Sequence, residues 1–186
     1  MEVHLVGELN KAVDIDLPNL HCHWKMLTED KTEKHDAQHW VLISGADEGF
    51  TQISAAAASQ NQASAVWNHP LDMYYASSSV KKWPHMYIEI WSQDSYGRND
   101  IAGYGVVLVP ATPGTHELEC VIWRPYGTFM ERLSASFLGG WPQLTNPEKT
   151  VLDESRYPLM TETVGAVHIT LSVVTSRTDD LGVKLG

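Results

Sequence analysis

The chain has 186 residues, 43% hydrophobic and 19% charged, the balance of a globular domain, and no apolar run in it reaches the roughly 20 residues a bilayer span requires. Its formal net charge of -10, relieved by no basic cluster denser than Lys81 and Lys82, sets it against nucleic acid and anionic membrane surfaces, so no nucleic-acid partner is expected. Cys22 and Cys120 make no disulfide framework, and buried thiols in an intracellular, cytoplasmic, soluble protein are the expectation.

The opening "VHLVGEL" (3–9) alternates with period two and sets Val3, Leu5 and Leu9 on one side, as a half-buried strand does. An acid at position 2 and no basic stretch before the apolar residues argue against a secretory signal. Residues 20–27 are the next strand candidate and contain "HCHW". His21 and His23 share one face there and Cys22 takes the other, so at most two of the three could grip one ion. A structural zinc site needs four ligands, and exposed histidine rings on a strand are expected instead. "TEDKTEKHDA" (28–37) reads as a charged surface insertion, followed by a strand at 39–44. "SAAAASQNQASA" (54–65) reads as a second surface insertion, mobile or briefly helical.

"LDMYYA" (71–76) places Leu71, Met73 and Tyr75 inward. "HMYIEIW" (85–91) places Met86, Ile88 and Ile90 inward and Tyr87, Glu89 and Trp91 outward, so removing the Glu89 side chain should be nearly neutral. A strand at 101–109 precedes "THELECVIW" (115–123), with Leu118, Cys120 and Ile122 inward. Thr128 and Glu131 then form a capping box, Phe129, Leu133 and Phe137 make one apolar stripe, and Gly139-Gly140 supplies a stop. "AVHITLSVV" (166–174) closes the pattern with Val167, Ile169, Leu171 and Val173 inward. About eight strands with one inserted amphipathic helix predict an all-β chain: two antiparallel sheets packed face to face, in a single domain over 1–186.

No G-x-S-x-G elbow, H-E-x-x-H pair or phosphate-cradling glycine loop occurs in the sequence, and no enzymatic activity or cofactor is expected. The aromatic and arginine residues outside the inward sets are of the types that anchor protein interfaces. Tyr87 and Trp91 lie on an outward strand face, Tyr96 and Arg98 on a loop tip, and Arg124 at a strand end. They are the partner-binding candidates; the bland account is that connections or the helix cover them.

"IWSQDSYGRNDIAGYG" (90–105) resembles the third top loop of a C2-type β-sandwich, whose calcium-binding members carry three aspartates in this register. Here the positions read Ser92, Asp94 and Asp100, and Asn19 is the nearest match to a first-loop aspartate. Calcium needs six to eight oxygens, with affinity following carboxylate count, so a degenerate site and no bound metal are expected. "VWNHPLDMYYA", "KKWPHMYIEIWSQDSYGR", "AGYG", "PGTHEL", "WRPYG" and "GGWPQL", spread over 66–144, together resemble the B9 domain family.

That resemblance implies a non-catalytic scaffold subunit of the Meckel syndrome, or tectonic-like, complex at the ciliary transition zone and basal body. There it would support ciliogenesis and gate membrane-protein entry into the cilium. It also implies a hetero-oligomer with B9 domain-containing protein 1 and the Meckel syndrome type 1 protein, near a membrane through weak contacts at most. The alternative is a peripheral C2-type module that binds lipid or calcium.

Overall fold

The computed structural model describes residues 1–28, 40–55, 57–59, 62–78, 83–126, 143–152 and 159–176. The alternating segments form strands: β1 (Glu2–Val13), β2 (Leu20–Leu27), β3 (Trp40–Gly45), β4 (Glu48–Phe50), β5 (Ala57–Ser59), β6 (Gln62–Ser77), β7 (His85–Gln93), β8 (Asn99–Leu108), β9 (Gly114–Pro125) and β10 (Thr161–Ser176). All pair antiparallel in the order β3-β6-β1-β10-β9-β8-β7-β2-β4, with β5 beside β6.

The sheet curls over one interior. The inward residues of β1, β6, β9 and β10 share a core with Cys22, Trp24, Met86, Ile88 and Ile90 of β2 and β7. Trp67 Nε1 on β6 donates to the Leu20 carbonyl at 3.1 Å, although β6 and β2 stand far apart in strand order. Such a bond requires the sheet to be folded over.

The fold line runs between β8 and β9, which are paired only at Tyr104 and Trp123. Two glycines permit the close approach there. A Cβ at Gly105 would lie 2.6 Å from Cys120 Sγ, and one at Gly103 would lie 2.7 Å from Ile122 Cγ2. The "AGYG" sequence is thus a packing requirement of the crease.

The inward sets read from parity are buried, apart from half-buried Leu118, which packs against the core. Parity fails where the strand bulges: a register shift between Leu9 and Lys11 turns Lys11 outward and Ala12 inward.

One expectation needs correction. The described residues form ten strands, close to the number expected, and the stretch 54–65 contributes to them. Ala57 pairs with Ser64 and Ser59 with Gln62, so a hairpin stands where a mobile or helical insertion was expected. Small residues carry little strand propensity of their own, and pairing to the end of the long β6 supplies it. The expected helix at 128–140 and nearly all of the 28–37 insertion lie outside the described residues. A short helix, α1 (Pro147–Leu152), carries no periodic signal in the sequence.

Helix α1 and the segment before it cover part of the outer sheet face. Val151, Leu152 and Leu144 pack there with Leu27, Tyr87, Trp91, Ile101, Tyr104, Val106 and Trp123 in a second apolar cluster.

Candidate functional site

The tip between β7 and β8 is held by one carboxylate. Asp94 Oδ1 accepts the Tyr96 N–H at 2.8 Å and the Arg98 N–H at 2.9 Å. Its Oδ2 accepts from Arg98 Nε and Nη2, each at 2.7 Å. The Asp94 N–H donates to the Arg98 carbonyl at 2.9 Å, and Gly97 makes the reversal at φ +79°. Arg98's guanidinium also lies 5.7 Å from the centre of the Tyr96 ring. The Asp94 carboxyl is held below its ordinary value, by the Arg98 backbone N–H first and its guanidinium next.

The remaining calcium-loop positions are turned to other bonds. Ser92 Oγ donates to the Pro18 carbonyl at 2.7 Å, and Asn19 Nδ2 donates to the Gln93 carbonyl at 3.0 Å. Asp100 stands opposite Ser92 in the β7–β8 ladder. Among the described residues, no group of three or more His, Cys, Asp or Glu side chains is placed to hold a metal ion. The Arg98 cation sits where Asp94 would offer its oxygens to calcium.

The structure separates the partner-binding candidates. Tyr96 is 85% exposed at the tip, and Arg98 beside it is exposed but bonded to Asp94. Arg124 pairs across β9 and β10 with Glu162 at 2.5 Å and is mostly covered. Trp91 is half-buried against the second apolar cluster. Tyr87 is 0% exposed, which corrects its placement on an open face: the outward side of β7 is itself roofed.

Under that roof lies a polar network that strand parity does not reveal. Glu89 Oε1 accepts the Tyr87 hydroxyl at 2.6 Å, and its Oε2 accepts Trp91 Nε1 at 3.2 Å. The same Oε2 lies 3.1 Å from His23 Nδ1, while His23 Nε2 lies 3.1 Å from Glu48 Oε1 on β4. Lys25 extends the chain of charges, 3.5 Å from Glu48 and 2.6 Å from Glu148 of α1. Phe50 stacks on the His23 ring at 4.4 Å. His23 is therefore no exposed strand histidine. With a carboxylate at each ring nitrogen, it satisfies both only as the doubly protonated imidazolium.

These contacts set the charges. The bond to Glu89 raises His23 above its ordinary 6.5, partly opposed by burial and helped by Glu48. Burial pushes Glu89 up, but the bonds from His23, Tyr87 and Trp91 outweigh it and hold the carboxyl below 4.5. Burial, then donation to Glu89, drives the Tyr87 hydroxyl far above its ordinary value. A signal for this network was present in the alternation of His23 and Lys25 on β2 opposite Glu89 on β7, but only the register His23↔Glu89 brings them together.

A pH dependence follows. The raised His23 value contributes stability that is fully present below 6.5 and lost as pH climbs through the folded-state value. The lowered Glu89 and Glu48 values contribute stability present above 4.5 and lost on acidification. Thermal unfolding followed from about pH 5 to about pH 9 should show the His23 contribution as a fall through the imidazole titration, set against the opposite contribution of His21 and His69, whose values burial lowers. His23→Gln should flatten that fall; an equal slope in both proteins would show that another group titrates.

The protein-family model described as "Ciliary basal body-associated, B9 protein" matches residues 3–174. The chain is 38% identical to B9 domain-containing protein 2 of Bos taurus over 183 residues, 98% of each chain. It is 37% identical to the Homo sapiens protein of that name, also over 98% of each. Similarity extends to B9 domain-containing protein 1 of Xenopus laevis, 27% identical over 99% of this chain and 89% of that one. Among solved structures, a C2 domain of a plant extended synaptotagmin 1 superposes with a TM-score of 0.44 and 12% identity, over 94% of this chain and 96% of that one.

Proposed function

The chain belongs to the B9 family of ciliary basal body-associated proteins, and we propose that it acts there as a non-catalytic scaffold subunit. In this reading it joins B9 domain-containing protein 1 and the Meckel syndrome type 1 protein in a hetero-oligomer at the transition zone. The assembly gates membrane-protein entry into the cilium, and the whole chain serves as one domain within it. The observation that carries the proposal is similarity over 98% of the chain to proteins named B9 domain-containing protein 2.

The tip supports a contact role. A large aromatic ring held in open solvent by a braced turn is a preorganised anchor, since its ordering cost is already met in the free protein. Arg98 braces Tyr96 and Asp94 braces Arg98. Co-purification with the two sister proteins tests the proposal, and a stoichiometric complex is the expected result. Tyr96→Ala should weaken that complex by about 2 kcal/mol, the size of a hot-spot residue. The melting temperature of the free chain should stay unchanged, because the Tyr96 ring is exposed. Failure to co-purify, together with calcium-dependent sedimentation on liposomes, would favour a peripheral lipid-binding module. The occupied oxygens of Asp94 argue against that second reading.

A further inference from the structure

A guanidinium carries five N–H donors along two usable edges. At the tip between β7 and β8, Asp94 Oδ2 engages one edge of Arg98, accepting from Nε and Nη2 at 2.7 Å each. The outer edge, made by Nη1 and the second N–H of Nη2, has no partner among the described residues. The Tyr96 hydroxyl has none either, since only the backbone N–H of that residue is bonded. Both groups face water: the Arg98 side chain is 67% exposed and Tyr96 85%. With Asp94 on the inner edge and the Tyr96 ring centre 5.7 Å away, the outer edge is held in one place and does not swing as a free side chain would.

The same contacts decide which ligand suits these donors. The Asp94 carboxylate balances the Arg98 charge, Asp100 adds a second acid, and residues 94–100 contain no other Lys or Arg. An anion would be drawn by the N–H groups but repelled by both acids and by a net charge of -10. A cation would find each Asp94 oxygen already accepting two N–H bonds. An uncharged acceptor meets neither obstacle. Any surface that covers the tip must supply such acceptors, because a donor taken from water and left unmatched weakens the complex.

Resting on the reading of this tip as a protein contact, we infer that it docks into an uncharged, carbonyl-rimmed apolar pocket of the partner protein. The Tyr96 ring fills the pocket. The outer N–H groups of Arg98 and the Tyr96 hydroxyl donate to main-chain carbonyl oxygens at its rim, and no partner carboxylate or phosphate takes part.

Titration of the full chain and its variants against the two sister proteins of the proposed complex tests this. Arg98→Ala should weaken binding at least about tenfold. The ratio of its dissociation constant to that of the parent should be the same, within about twofold, at about 0.05 M and about 0.5 M sodium chloride, because contacts to neutral groups are not screened. Asp94→Asn keeps an oxygen for the Tyr96 and Arg98 N–H groups but loses the charge, and should stay within about threefold of the parent. Should Arg98→Ala disturb the turn, seen as a lowered melting temperature of the free chain, Arg98→Lys decides. Its ammonium keeps the pair with Asp94 but has no second edge, and binding should still fall at least about fivefold. Equal losses from Asp94→Asn and Arg98→Ala would show that Arg98 only braces Tyr96. Tighter binding by Asp94→Asn, or a ratio that shrinks with salt, would show a carboxylate or phosphate in the pocket. Either result overturns the inference, as does a complex indifferent to both Arg98 substitutions, while the scaffold reading stands. Absence of any complex with the parent chain overturns both.

Discussion

Glu89→Ala is expected to lower stability by about 3 kcal/mol, although Glu89 stands at an outward position of β7. The side chain is 13% exposed and carries bonds from Tyr87, Trp91 and His23. Its removal leaves the hydroxyl of a fully buried Tyr87 with no acceptor, and an unsatisfied buried donor costs about 1–3 kcal/mol. It also leaves the His23 cation with Glu48 alone, and loss of one partner from a covered ion pair adds to the cost. Glu89→Gln separates these effects, since its carbonyl can still accept from one donor while the charge is lost. It should fall between the parent and Glu89→Ala. Urea unfolding near pH 6, where His23 is charged, gives both values. A change within about 0.5 kcal/mol for Glu89→Ala, the range of ordinary surface substitutions, would show that the network adds nothing.

The contrast with the near-neutral expectation for Glu89 marks where sequence ceases to be informative. Alternation reports which side of a strand a residue takes, and Met86, Ile88 and Ile90 are buried as it predicts. It does not report what lies over the other side. Tyr87 and Trp91 are covered from residues 143–152, whose short helix has too few residues for a periodic signal. Burial on both faces of β7 therefore comes from a segment far away in sequence.

The candidate site was legible where chemistry is local. Asp94, Tyr96 and Arg98 lie within five positions, and a short carboxylate accepting N–H groups from the next residues is a sequence-near event. Yet Arg98 reads from sequence as a partner-binding residue at a loop tip, and in the fold its guanidinium fork is engaged by Asp94. Arg124 is engaged in the same way by Glu162, through a pairing of β9 with β10 that only the register specifies. Long-range pairs of this kind follow from strand order, which one sequence does not give. The hairpin at residues 57–64 escaped for a related reason, because its strand character comes from β6 and not from its own alanines and serines.

Ile88→Ala should be the most damaging of these substitutions, at about 2–5 kcal/mol. Ile88 is fully buried, between Trp24 of β2 and Gly105 of β8. Gly105 has no side chain to move into a void. Nor can its strand simply shift inward, since Cys120 Sγ and Ile122 Cδ1 already lie 2.6 and 2.8 Å from where its Cβ would be. The space left by the truncated side chain therefore persists as a cavity, and the cost exceeds that of the lost transfer energy alone. Ile88→Val, which removes one methylene, should cost about 0.5–1.5 kcal/mol. Val66→Ala, at a half-exposed position, should stay within about 0.5 kcal/mol. Chemical denaturation of the three variants orders them directly. If Ile88→Ala fell near Val66→Ala, with soluble yield unchanged, the strand would be slipped by one residue, Ile88 would face outward, and Glu89 with its partners would have to be rebuilt on the other side of the sheet.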